Sequence, residues 1–126
     1  MKKLLFPLTF IIISLIYLSC KSQKKPEFEP RMTSKRAFNL HLIHANEFIK
    51  LNDYDKAIQE ANAALKINPK AAEGYNLLGI AFFFKKVYKF AEENFLKSLN
   101  LRPSYAQAYN NLGNTSYLKG EIEQAK

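Results

Sequence analysis

Tryptophan is absent and cysteine nearly so: the 126-residue chain has no Trp, one Cys, two His, two Met and four Gly. A single cysteine excludes an internal disulfide, so no crosslink within the chain holds the fold. The glycines, at 74, 79, 113 and 120, never gather into a loop that could cradle a phosphate. The two histidines, His41 and His44, stand three apart, with Glu47 a turn further on. That spacing puts the three on one helical face. With no other histidine and no visible fourth ligand, they read as packing or partly exposed groups and not as a metal site. No nucleophile stands with a base, so no catalytic residue, cofactor or metal is expected, and the chain does not read as an enzyme.

Acidic residues are also short. Against 19 Lys and Arg there are 11 Asp and Glu, a formal charge of +8. A moderate basic excess favours anionic surfaces without identifying one. What is present at the start is one apolar run, Leu4 to Leu18, broken only by Pro7, Thr9 and Ser14. Met1-Lys2-Lys3 precede it, and Ser19-Cys20 with polar Lys21-Ser22-Gln23 follow. Positive, then apolar, then small is the secretory layout. The run falls short of the roughly 20 residues that a membrane-spanning helix needs. Residues 1–20 resemble the leader of bacterial lipoproteins. The resemblance implies a signal peptide over 1–19, cleavage before Cys20, a diacylglyceryl thioether on Cys20 and acylation of its freed amine. Tyr17 stands where such leaders usually carry leucine, with Leu18 one place late. An uncleaved anchor or an ordinary leader cut nearby are the alternatives. At about 0.8 kcal/mol per buried CH₂, two or three chains would anchor the protein stably. Without the leader's two lysines, 17 basic and 11 acidic residues remain, or +6.

Residues 20–33 read as the lipidated cysteine and a flexible basic tether, with Lys21, Lys24, Lys25, Pro26, Pro30 and Arg31. Only Phe28 and Met32 are large and apolar, too little to offset the entropy of ordering the segment. Its cations would favour anionic headgroups, or merely space the domain from the lipid. Thr33 or Ser34 offers an N-cap for a first helix, so the folded domain is set at 34–126.

From there the chain repeats with a step of 34. Pro69 and Pro103 keep it, as do Ala57, Ala91 and Ala125, and Tyr75 and Tyr109. So do Asn76 and Asn110, Leu78 and Leu112, Gly79 and Gly113, Phe48 and Phe82, Tyr54 and Tyr88, and Leu65 and Leu99. The repeats are 38–71, 72–105 and 106–126, the last incomplete. Within the second, Tyr75, Leu78, Gly79 and Phe82 share one face of a helix. After Lys85-Lys86, Tyr88, Ala91, Phe95 and Leu99 mark a second helix that ends before Pro103, which cannot continue it. Gly79 and Ala91 are small because two antiparallel helices meet closely there. Gly79→Leu should cost ~1–3 kcal/mol by overpacking.

Tyr75, Leu78, Gly79, Phe82, Tyr88, Ala91, Phe95 and Pro103 fall where tetratricopeptide-repeat (TPR) proteins place their signature. The resemblance covers 38–126. It implies an all-α solenoid of helix–turn–helix units, about 2.5 repeats, wound as a right-handed superhelix with a concave groove. The first repeat departs from the pattern at His41, His44 and Ala61, and the third at Ser116. The opposite phase of each first helix reads as the groove: Asn39, Leu42, Asn46 and Ile49; Glu73, Asn76, Ile80 and Phe83; Gln107, Asn110, Asn114 and Tyr117. Asparagine both donates and accepts, so it can pair with any peptide backbone. Phe83 and Tyr117 could bury a ligand side chain. The plainer reading is a solvated face, with Phe83 and Phe84 packed within the solenoid. Some TPR domains clamp a terminal carboxylate with lysine and arginine; these positions are mostly neutral, and no such clamp is expected.

The expectation is therefore a membrane-anchored scaffold that binds a peptide or protein partner in the groove. It sits in the bacterial cell envelope, with the outer membrane favoured because Lys21 is not the aspartate that often retains lipoproteins at the inner one. The layout of leader, tether and repeats also resembles type IV pilus biogenesis lipoproteins, which help assemble an outer-membrane secretin. An accessory subunit of an envelope enzyme is a further alternative. Nucleic acid is not expected, because the aromatics serve the repeat core and the leader leads out of the cytosol. Repeat arrays need a terminal cap. Either the helix from Tyr105 to Leu118 supplies it, with Glu121 to Lys126 a frayed stub, or the chain is a fragment; truncation is the favoured reading. An uncovered apolar face there would drive self-association.

Overall fold

Local sequence starts the first two helices directly. The computed structural model describes residues 33–126; Cys20, the leader and the tether up to residue 32 lie outside them. Thr33, in extended backbone, accepts the Arg36 N–H on its hydroxyl at 3.3 Å and begins α1, Ser34–Lys50. Asp53 accepts the Lys56 N–H and begins α2, Tyr54–Ile67. Each cap satisfies a backbone donor that the first turn leaves open. The remaining helices are α3, Ala72–Phe84, α4, Tyr88–Leu101, and α5, Ala106–Gln124, none with a side-chain cap. Every regular element among the described residues is helical.

The turns inside the first two repeats are the same turn. Asn52 and Lys86 have φ of 60° and 63°, the left-handed region. Behind them the Asp53 N–H donates to the Phe48 carbonyl, and the Val87 N–H to the Phe82 carbonyl, both at 2.9 Å. This closure satisfies carbonyls at the helix end and reverses the chain. Gly120 holds the equivalent place in the third repeat, yet α5 runs straight through it to Gln124. The expected end at Leu118 is thus corrected. Residues 121–126 are all exposed on this straight course, which keeps the helical hydrogen bonds running past Gly120.

Packing follows sequence order. Each helix packs on the next, α1 also touches α3, and α3 touches α5, whereas α2 and α4 do not meet. The inner row of α1, α3 and α5 is drawn together and the outer row is spread, which makes the inner face concave. The core between the rows is built largely from small side chains: Ala45, Ala57, Ala61, Ala64, Ala81, Ala91 and Ala108 are all buried. Phe95, Leu65, Leu78 and Leu99 fill what remains. A buried hydroxyl pins the second pair, with Ser98 donating to the Ala72 carbonyl at 2.8 Å.

At Gly79 the α3 backbone lies directly against the Phe95 side chain of α4. A Cβ there would lie 2.5 Å from Phe95 Cε1, and Phe95 is only 1% exposed. At Gly113 a Cβ meets nothing within 4 Å. The two glycines share a place in the repeat but not an environment. Gly113→Ala should therefore stabilise the fold by about 0.5–1 kcal/mol through helix propensity alone. Gly79→Ala should instead destabilise it by ~1–2 kcal/mol, because the enclosed ring must shift. Urea denaturation followed by circular dichroism measures both. Two shifts of the same sign would show that the Phe95 contact is not what keeps Gly79 small.

Candidate functional site

The inner row carries the residues that the repeat phase assigns to the groove. On α1, Asn39 and Asn46 are exposed and Leu42 half-buried; on α5, Asn110, Asn114 and Tyr117 are exposed. Ile80 and Phe83 of α3 are half-buried. Between α3 and α5 they help line a cleft of about 190 Å³, with Phe84, Asn111 and Asn114 around it and Phe95 as its floor. The structure thus brings Ile80, Phe83 and Asn114 together. Asn39, Leu42, Asn46, Asn110 and Tyr117 lie outside this cleft. The volume is below the roughly 300–1,000 Å³ of pockets that enclose small molecules, and suits one side chain of a larger ligand.

The phenylalanines are both packed and available. Phe84 stacks on Tyr54 of the preceding repeat, centroids 5.5 Å apart and planes 8° from parallel. Phe83 meets Phe84 edge-on at 5.5 Å and Tyr88 at 5.8 Å. This run of rings fixes the cleft wall, since each pair adds about 0.5–1.5 kcal/mol beyond its area. Phe84 is still 50% exposed. Its contribution, and that of Asn111, are missing from the sequence reading because both sit one place outside the groove phase.

Asn76 is a correction. It was assigned to the groove, but it is 2% exposed and belongs to the seam between repeats. Its amide donates to the Tyr105 hydroxyl at 3.5 Å, and its oxygen accepts from the Asn111 amide at 3.2 Å. Tyr105, the last residue of Asn76's own repeat, and Asn111 of the next close over it. Beside them the Glu73 carboxylate pairs with Arg102, whose guanidinium lies 5.0 Å over the Tyr105 ring. Burial pushes the Glu73 carboxyl up, but its own backbone N–H and Arg102 outweigh that and hold it below the usual glutamate range. Burial, then the Glu73 charge, raise the Tyr105 phenol against the opposing effect of Arg102 and Asn76. The histidines hold α1 to α2: His41 Nδ1 lies 2.7 Å from Glu60 Oε2, and His44 Nδ1 3.7 Å from the same oxygen.

Residues 45–85 match a family profile described as a TPR repeat. The C-terminal TPR-containing domain of a Plasmodium falciparum FK506-binding protein superposes with a TM-score of 0.69 at 21% identity, over 90% of this chain and 75% of that one. The folded region is built of tetratricopeptide repeats. A second TPR structure, the second TPR of Spaghetti (RPAP3) bound to the HSP90 peptide SRMEEVD, superposes with a TM-score of 0.65 at 21% identity. That match covers 77% of this chain and 89% of the other. Among curated proteins, heat shock protein STI1 of Saccharomyces cerevisiae is 34% identical over 67 residues, 51% of this chain. The chain spans only 11% of the length of STI1.

Two outcomes follow for the seam between the second and third TPR units. Asn76→Ala should cost about 1–3 kcal/mol, since it strips a buried hydrogen bond from both Tyr105 and Asn111. Thermal unfolding measures this, and a cost within error of zero would mean the seam is hydrated. Arg102→Gln should cost less, at most about 1 kcal/mol, because the pair is partly exposed. The depressed Glu73 carboxyl binds fewer protons when folded. Its stabilisation is therefore complete above the ordinary glutamate range and is lost as pH falls through the folded value. The Arg102→Gln penalty should shrink in step across an acid titration of stability.

Proposed function

We propose that the chain is a membrane-anchored interaction scaffold that holds a partner peptide along its concave TPR face. The cleft of Ile80, Phe83 and Asn114 receives one apolar side chain of that peptide. The observation that carries this reading is the coincidence of the repeat-phase residues with an open hollow of side-chain size. Exposed amides of Asn39, Asn46, Asn110 and Asn114 lie along the same row and would pair with peptide backbone. A TPR neighbour of the same fold was solved with an HSP90 peptide bound, which is in keeping with peptide recognition. That peptide, SRMEEVD, ends in aspartate and has three acidic residues among its last four. Here the inner positions are amide, aliphatic and aromatic, with Glu73 the one charged member. The chemistry favours capture of an apolar side chain over capture of a terminal carboxylate. No helix among the described residues is long and apolar enough to cross a membrane. The anchor we propose is the lipid on Cys20, outside them.

Panning a peptide array against the full chain in a neutral detergent tests the groove. Selected peptides should share an apolar anchor and bind Phe83→Ala and Ile80→Ser at least tenfold more weakly, with helical content unchanged. Equal binding to wild type and both variants would remove the cleft from the function. The intact mass of membrane-extracted protein tests the anchor. It should lack residues 1–19 and carry acyl chains that Cys20→Ser abolishes; an unmodified full-length mass would sink the lipoprotein reading.

A further inference from the structure

A larger hollow lies on the other side of α3. Because α2 and α4 do not meet, a trough of about 610 Å³ opens between them. Its floor is Tyr75, Leu78 and Phe82, the face of α3 opposite Ile80 and Phe83. Leu78 is buried, while Tyr75 and Phe82 stay partly open. Phe82 leans on Phe90, their centroids 5.4 Å apart, and Phe90 is itself 49% exposed. The walls are polar: Asn62 and Lys66 on α2, Asn94 and Lys97 on α4. Lys97 Nζ stands 5.8 Å from the centre of the Tyr75 ring.

Charge decides what such a trough admits. Neither Lys66 nor Lys97 makes an ion pair with another described residue, and no lining residue is acidic. The carboxylates of α2 and α4 that do find partners are engaged elsewhere. Asp55 pairs with Lys85, Glu60 with His41, and Glu92 with Lys119 at 2.7 Å. Glu93, one turn before Lys97 on α4, is exposed and makes no ion pair with a described residue, but it does not line the trough. Two ammonium groups thus stand beside an aromatic and aliphatic floor. The Asn94 amide already donates to the Phe90 carbonyl of its own helix at 2.8 Å, which leaves its oxygen to accept a backbone N–H.

We propose that this outer trough is a second docking surface, which takes an acidic segment of a partner protein. Two carboxylates of the segment meet Lys66 and Lys97, and an apolar side chain between them lies on Tyr75 and Phe82. Asn62 and Asn94 pair with the segment's backbone. The inner cleft and the outer trough lie on opposite faces of one helix and differ in charge, so the scaffold holds two unlike ligands at once.

The test uses the full chain in a neutral detergent and a fluorescein-labelled synthetic peptide with two glutamates flanking leucine and phenylalanine. A second peptide carries glutamine in place of glutamate. Anisotropy titrations should show the acidic peptide binding more tightly than its neutral counterpart, and more weakly as salt rises. Lys66→Glu with Lys97→Glu should weaken it about tenfold or more, while Phe83→Ala leaves it unchanged. Both lysines are exposed, so circular dichroism should show the double variant folded. Equal binding of the two peptides, no binding to wild type, or indifference to the lysine reversal would each overturn the proposal. Loss on Phe83→Ala alone would move the peptide to the inner cleft, sinking this proposal and leaving the concave reading standing. Displacement of the acidic peptide by a short single-stranded oligonucleotide would reassign the trough to nucleic acid.

Discussion

The close approach of α3 and α4 at Gly79 governs the rest of the described structure. Phe95 occupies the space that a side chain at 79 would take. Burying a side chain of that size contributes about 1.5–3 kcal/mol, and the contact also fixes the rotation of α3 about its own axis. Once that rotation is set, Ile80 and Phe83 face the inner row, and Tyr75 and Phe82 face the gap between the outer helices. The same Phe95 ring forms the floor of the inner cleft. One contact therefore supports the core and shapes a site on either side of it.

Much of this was legible in the sequence because the period of 34 records packing. Gly79, Ala91 and Phe95 are where they are because two helices meet, and the meeting recurs in each unit. The inner stripe followed from helical phase alone, and three of its residues, Ile80, Phe83 and Asn114, line one cleft. Asn76 was misplaced for a reason that phase cannot express. Its partners, Tyr105 and Asn111, lie 29 and 35 residues further on, at the end of its own repeat and in the first helix of the next. Periodicity tells which way a side chain points from its helix axis, not what arrives from a neighbouring unit to cover it. The exposed counterpart Asn110 carries the same residue type on the same phase and has the opposite fate.

Gly120 makes a related point about turns. Asn52 and Lys86 adopt left-handed backbone where neither is the residue best suited to it, at a cost of about 1–2 kcal/mol for a lysine. Gly120, which would adopt it freely, remains helical. Local conformational preference therefore does not by itself place the turns. At 52 and 86 the reversal lets α2 and α4 lay their alanines and Phe95 against the inner row. At 120 the residues that follow cover nothing, and the helix keeps its hydrogen bonds instead.

The two hollows follow from curvature. A solenoid whose inner helices converge must open on its outer side, so a small enclosed cleft and a wider open trough are consequences of one geometry. Sequence then assigns the chemistry of each. The groove positions of the inner row place amides beside apolar groups, and the one carboxylate among them, Glu73, is held by Arg102. Three acids of the outer row, Asp55, Glu60 and Glu92, form bridges to Lys85, His41 and Lys119 that tie neighbouring helices together, while Glu93 is exposed and lines neither hollow. Lys66 and Lys97 are left without a carboxylate on the wider trough. The acids that brace the array and the exposed Glu93 all lie off the trough, which leaves its lining positive.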